Sequence, residues 1–214
     1  MDLKTPESPP VGIGSGRQRV PVSPTVLLLV DVINPLEFPE ADALAPAAAQ
    51  AARQTARLKE ALSLRRVRTI YANDHYGLWH SEFRDVRAHC LQQGGVAKEM
   101  ACVLAPGPDD FTVLKPRHSA FLGTPLELLL AQMKCRRLVI AGLSTDMCVQ
   151  MTAMDAYLRG YKLWVPQDCS AAETPQRYQT AIDYMEQVLK ADVRPSTRGR
   201  PGARRLPLPQ HAAT

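Results

Sequence analysis

Several things are scarce or missing in this 214-residue chain. Its five cysteines, Cys90, Cys102, Cys135, Cys148 and Cys169, are odd in number and form no CxxC pair. That argues against both a disulfide framework and a zinc cage, and it fits a reducing compartment. The apolar run TVLLLV at 25–30 is far too short to span a membrane, which takes about 20 residues. The opening stretch MDLKTPESPPVGIGSGRQRV lacks the apolar centre of a signal peptide, so a cytoplasmic location is expected. Acidic residues are missing after Asp192, where five arginines follow. Setting those arginines aside leaves 21 basic residues against 21 acidic ones, so the formal charge of +5 belongs to the C-terminal end. With no RNA-binding signature and a neutral remainder, neither nucleic acid nor membrane is expected as a partner.

What is present is a chain that is 45% apolar, enough to bury one large core. Residues 1–23 are rich in Pro, Gly and Ser and read as a flexible lead-in. A single domain is expected over 24–195, and a basic, Pro-rich tail over 196–214. Within the domain, short apolar runs alternate with helix-like segments. Strands are expected at 25–31, 67–74, 110–116, 136–143 and 162–168, with DVRP (192–195) as a short sixth. Helices are expected over 41–66, 81–93, 124–134, 145–160 and 174–192. The fourth of these ends at Gly160, and the third opens on a capping box with Thr124 as N-cap and Glu127 at N3. Strands apolar throughout are buried on both faces, and strand–helix alternation implies parallel pairing. The expected fold is therefore α/β: a three-layer, Rossmann-like α/β/α sandwich around a parallel sheet of about six strands. Ligands bind such sheets beyond the carboxyl ends of the strands, near a topological switch point.

Those strand ends carry chemistry. Asp31 ends the first strand, Asn73 and Asp74 the second, and Lys115 the third; Cys148 lies in the turn after the fourth. Each alone has an ordinary explanation. An Asp caps turns, a Lys before Pro is solvated, and a Cys at a helix start packs as a small apolar group. Together, a carboxylate, an ammonium and a thiol on one rim make a working set. A helix N-terminus and an ammonium would lower the pKa of Cys148, and a carboxylate could accept its proton. On residues alone, both packing and reaction stay open for Cys148.

The stretches LLLVDVIN, YANDHYGLWHSEF, VLKPRHSAF, GLSTDMCVQMTAMDAYLRGYKLWVPQD and KADVRPST resemble the isochorismatase-like cysteine hydrolases, over about residues 25–197. That family includes nicotinamidases, N-carbamoylsarcosine amidohydrolases, ureidoacrylate hydrolases and isochorismatases. The resemblance implies a catalytic set of Cys148 as nucleophile, Asp31 as general base and Lys115 as third member. It also implies a cis peptide at Leu143–Ser144, aiming the N–H groups of Ser144 and Cys148 into an oxyanion hole. Isochorismatases proper cleave a vinyl ether and lack the nucleophilic cysteine, so Cys148 favours hydrolysis of a small amide or ureide C–N bond.

Nicotinamidases hold a metal through an Asp-x-His motif and a further His. The corresponding positions are Asn73, His75 and His80, and with Asn in place of Asp no metal or other cofactor is expected. Asn34, Phe38, Tyr76, Trp79 and Phe121 are the expected substrate-binding residues, the aromatics suiting a flat, small substrate. Arg117 and His118 suit either a substrate carboxylate or a subunit contact, since the resemblance implies a homodimer or homotetramer. Three alternatives stand beside the amidohydrolase: an isochorismatase-type vinyl ether hydrolase, a non-catalytic binding or partner-docking member of the fold, and a thiol redox sensor at Cys148. The sensor lacks a resolving cysteine nearby in sequence.

Overall fold

A computed structural model describes residues 20–77, 80 and 82–199. The first 19 residues of the expected lead-in, the tail from 200 onward and Trp79 lie outside the described residues. Six parallel strands form the sheet: β1 (Thr25–Val30), β2 (Arg68–Asp74), β3 (Phe111–Lys115), β4 (Arg137–Leu143), β5 (Lys162–Trp164) and β6 (Ser170–Ala171). The order is β3-β2-β1-β4-β5, with β6 against the end of β4. The chain steps outward from β1 through β2 to β3, then returns to place β4 on the other side of β1. The switch point therefore falls between β1 and β4, where Val30 sits beside Gly142.

Alternation along β1 explains the layering. Val26, Leu28 and Val30 pack on one face with Leu126 and Leu130 of α4 (Leu126–Gln132), Ala153 of α5 (Gln150–Leu158) and Ile182 of α6 (Pro175–Gln187). Leu27 and Leu29 pack on the other face with Leu44 of α1 (Ala41–Ser63), Val86 of α2 (Phe83–Gln93) and Met100 of α3 (Gly95–Val103). All five of these β1 side chains are 0% exposed, which is why the run from Val26 to Val30 is apolar throughout.

Some local expectations shift. Helix α3 was not expected, because Gly94 and Gly95 read as loop; both adopt positive φ and break α2 from α3. Strand β5 is short, ending before Pro166. The sixth strand is Ser170–Ala171 rather than DVRP, whose Asp192 makes a single bridge to Trp164. Thr124 is one residue early for a capping box. Its hydroxyl donates to the Ala120 carbonyl and accepts the Leu126 N–H, while Pro125 takes the cap position. Thr174 does cap α6, accepting the Arg177 N–H at 3.2 Å with Pro175 at the first helical position. Among the described residues, no helix is long and apolar enough to cross a membrane.

Candidate active site

Asp31 follows β1 directly, in the left-handed region at φ 49°, which short polar side chains tolerate. Its N–H is bonded to the Ala72 carbonyl at 3.0 Å, so the residue is pinned to β2 as β1 ends. Lys115 is the last residue of β3, on the face of Val113, and is 0% exposed. Cys148 lies in a wide turn, Thr145–Val149, that opens α5. The Val149 N–H reaches back five residues to the Ser144 carbonyl at 3.1 Å, a π-helical bond.

These three elements bring three side chains together. Lys115 Nζ lies 2.8 Å from Asp31 Oδ2 and 3.6 Å from Cys148 Sγ. Asp31 is 4% exposed and Cys148 9%. The other carboxylate oxygen of Asp31 accepts the Asp74 N–H at 2.7 Å. Two further groups complete the cluster: the sequence put Asp74 at the rim without a role, and gave His118 a substrate carboxylate or a subunit contact. Asp74 Oδ2 is 3.6 Å from Lys115 Nζ; the alternation of β2 puts it on the face of Ala72, which was legible in principle. His118 Nδ1 is 3.7 Å from Cys148 Sγ, on the exposed side of the thiol. Its signal was only its position three residues after Lys115.

The electrostatics are dominated by burial. Burial pushes the Asp31 carboxyl above its ordinary value, with Lys115 pulling the other way. Burial also works against the Lys115 charge, but Asp31, Cys148 and Asp74 outweigh it and hold the ammonium above its usual range. The Cys148 thiol is pushed well up by burial and then by the Asp31 charge, with Lys115 opposing. The expectation of a depressed thiol pKa is therefore corrected: desolvation exceeds the pull of one ammonium and pushes the thiol up.

A second correction concerns the backbone. No cis peptide occurs among the described residues, so Leu143–Ser144 is trans. The trans form is favoured by about 3–4 kcal/mol at a non-proline bond, and the sharp exit from β4 is made one residue earlier. Gly142 has φ 135°, and a Cβ there would lie 1.9 Å from the Val30 carbonyl oxygen. Only glycine lets β4 pass β1 this closely at the switch point. Ser144 then takes an extended conformation, and its carbonyl accepts the N–H groups of Met147 and Val149.

The remaining candidates divide. Tyr76 is 42% exposed over the whole residue, and its phenol is held well above its ordinary value by burial and then by the Asp31 carboxylate. Asn34 is 9% exposed, and its side-chain oxygen accepts the Leu36 N–H at 2.8 Å, shaping the loop after β1. Phe38 packs half-buried against the α1 face of the core. Phe121, expected in the substrate pocket, is corrected to a core residue: it is 5% exposed, tilted against Tyr161, with the Arg159 guanidinium 4.7 Å above its ring. Asn73 is fully buried on the opposite face from Asp74 and gives its amide to the Ile33 carbonyl at 2.6 Å. His75 is buried and accepts the Gly77 N–H through Nδ1, while His80 is exposed. Among the described residues no cluster of three His, Cys, Asp or Glu has the arrangement of a metal site. An open groove of about 450 Å³ lies elsewhere, between α1 and the start of α6, and none of the three central residues lines it.

The comparisons with known proteins agree with this fold. A family model described as the isochorismatase domain matches residues 25–194. The isochorismatase family protein YaaI of Bacillus subtilis is 35% identical over 167 residues, covering 78% of this chain and 91% of that protein. The ureidoacrylate amidohydrolase RutB of Enterobacter sp. (strain 638) is 32% identical over 97 residues, 45% of this chain and 42% of that protein. Among solved structures, the nicotinamidase SaPncA of Staphylococcus aureus shares the fold at a TM-score of 0.62 and 24% identity, over 81% of this chain and 98% of that one. The chain belongs to the isochorismatase family.

Proposed function

We propose that this protein is a cysteine-dependent hydrolase that cleaves the C–N bond of a small amide or ureide through a thioester. One observation carries the reading: a single, fully buried ammonium reaches both a buried carboxylate and a thiol at the switch point of the sheet. Such a cluster is costly to fold, because each charge leaves water. An ordinary core cysteine calls for none of it.

The steps follow from the groups. Asp31 accepts the thiol proton, and the electron pair left on Cys148 Sγ attacks the substrate carbonyl carbon. The oxyanion forms at the turn that opens α5; the paired aim of the Ser144 and Cys148 N–H groups was expected from a cis Leu143–Ser144 bond, and the bond is trans. As the tetrahedral adduct collapses, the C–N bond breaks and the proton passes to the departing nitrogen. Asp31 then takes a proton from water, whose oxygen attacks the thioester carbon, and the proton returns to sulfur as the acid leaves. Lys115 orients Asp31 throughout and favours its ionised form each time it must accept a proton. The similarity to RutB, named an amidohydrolase, supports a C–N bond as target.

The test is a screen of small amides and ureides for ammonia release by the wild-type chain and by Cys148→Ala. The wild type should turn over at least one substrate class, with the variant down by about a thousandfold or more. Equal activity in the two would overturn the proposal.

A further inference from the structure

The mechanism above leaves one group beside the reacting sulfur unused. His118 lies in the loop after β3, three residues beyond Lys115, and its Nδ1 is 3.7 Å from Cys148 Sγ. The thiol is thus flanked on two sides. Behind it are Lys115 and Asp31, 0% and 4% exposed; in front is an imidazole open to solvent. The loop is tied down around that imidazole. Ser119 donates to Asp155 of α5, the Ala120 N–H is accepted by Thr152 of α5, and the Phe121 N–H is accepted by Ser119. A residue on a loop fixed to the helix that carries the nucleophile keeps its distance from that nucleophile.

We propose that His118 is a second proton partner of Cys148, giving the thiol an acceptor on its solvent side in addition to Asp31 on its buried side. The argument is one of charge. A proton delivered to Asp31 discharges the carboxylate 2.8 Å from a fully buried ammonium, leaving Asp74 at 3.6 Å as the nearer remaining counter-charge. A proton delivered to His118 leaves that ion pair whole. It also sets an imidazolium against the new thiolate, in a thiolate–imidazolium pair that stabilises both. The bookkeeping closes. The S–H bond breaks with its electron pair left on sulfur, and the proton goes to Nδ1. When the C–N bond breaks, the same proton goes to the departing nitrogen and the imidazole is neutral again. Histidine suits this exchange because an imidazole nitrogen can both accept a proton and give it back. The charged and titratable groups around this end of the loop are Cys148, with Asp31, Lys115 and Asp74 behind it, Asp155 and Arg159 on the α5 side, Glu127 on α4, and Arg117 on the loop itself.

The inference rests on the proposed nucleophile, so the experiment reads the thiol without a substrate. Iodoacetamide alkylation of Cys148, followed by peptide mass spectrometry, is timed from pH 5 to 9 in the wild type, His118→Ala and His118→Gln. The wild type should show a rise in rate with pH across this range. Both variants should lose that rise and alkylate about tenfold more slowly at pH 7. Added free imidazole should restore part of the rate in His118→Ala but not in Cys148→Ala. Unchanged rate and pH profile in His118→Ala would overturn the inference. So would a wild-type profile in His118→Gln, which keeps a hydrogen-bonding group but cannot titrate. If the histidine-dependent rise is found while no amide is ever hydrolysed, the pair stands and the hydrolase reading falls.

Discussion

Lys115 is the residue whose removal has the most calculable result. Lys115→Met keeps the unbranched shape of the side chain, one atom shorter, and deletes its charge in a place that is 0% exposed. Asp31, at 4% exposure, then loses its 2.8 Å partner and keeps only the Asp74 N–H. Breaking one half of a buried pair costs about 3–5 kcal/mol while the other half stays charged. Asp31 can escape by taking a proton, at about 1.4 kcal/mol for each pH unit above an ordinary carboxylate value near 3.9, or roughly 4 kcal/mol at pH 7 and 1.5 at pH 5. The two routes agree at neutral pH, so the expected loss is about 4 kcal/mol there. The sign follows from linkage: the variant's Asp31 binds its proton more tightly folded than unfolded, so the penalty grows as pH rises. Urea denaturation of wild type and variant at pH 5 and 7 measures it. The double variant Lys115→Met/Asp31→Asn should recover most of the loss at pH 7, since no lone charge remains. A loss under about 1 kcal/mol at pH 7, or equal losses at both pH values, would refute a buried, coupled pair.

Other expectations are shorter. Gly142→Ala places a methyl 1.9 Å from the Val30 carbonyl oxygen, so the β1–β4 contact must open; we expect loss of more than about 3 kcal/mol or no soluble protein, read by thermal denaturation. Asn73→Asp should destabilise by about 1–3 kcal/mol, because a carboxylate facing the Ile33 carbonyl replaces a donor, and isothermal titration should show no gain in Zn²⁺ affinity. Because burial raises the Asp31 carboxyl, activity should fall with acid at a pH above the ordinary carboxylate range, and Asp31→Asn should abolish turnover rather than shift that limb. Tyr76→Phe should change KM more than kcat if the phenol meets substrate, and leave stability nearly unchanged, which initial-rate kinetics and a melting curve would separate.

The positions of Asp31, Lys115 and Cys148 were legible because strand ends are a one-dimensional signal. A polar residue directly after a run buried on both faces has one place to go, the rim. The layer order was legible for the same reason, from runs such as TVLLLV. What stayed hidden depended on groups distant in sequence or on local backbone geometry. Helix α3 opens on two positive-φ glycines, Gly94 as its cap and Gly95 as its first residue, where a new helix starts instead of a loop. Strand β6 is two residues long and exists only because β4 lies alongside. Phe121 was expected in the pocket from its place near the rim, but the loop turns it inward onto Tyr161 and under Arg159, a contact with residues 38–40 positions away. The thiol's raised pKa could not be read from a helix start and a lysine, since burial, the larger effect, is a property of the packed core.

The wide turn at Thr145–Val149 has a consequence for how this site can change. In a regular helix, each residue's direction is fixed by its neighbours at about 100° per step, so re-aiming a side chain means rotating the whole rod. Here α5 is seated by Thr152, Ala153 and Ala156, all buried, while Cys148 stands in a turn with a different winding. Aim and seat are separate degrees of freedom. A one-residue deletion within 145–149 would let the turn relax to ordinary winding and swing the sulfur away, with the helix still in its groove. The fold could then survive intact as a scaffold whose nucleophile points elsewhere.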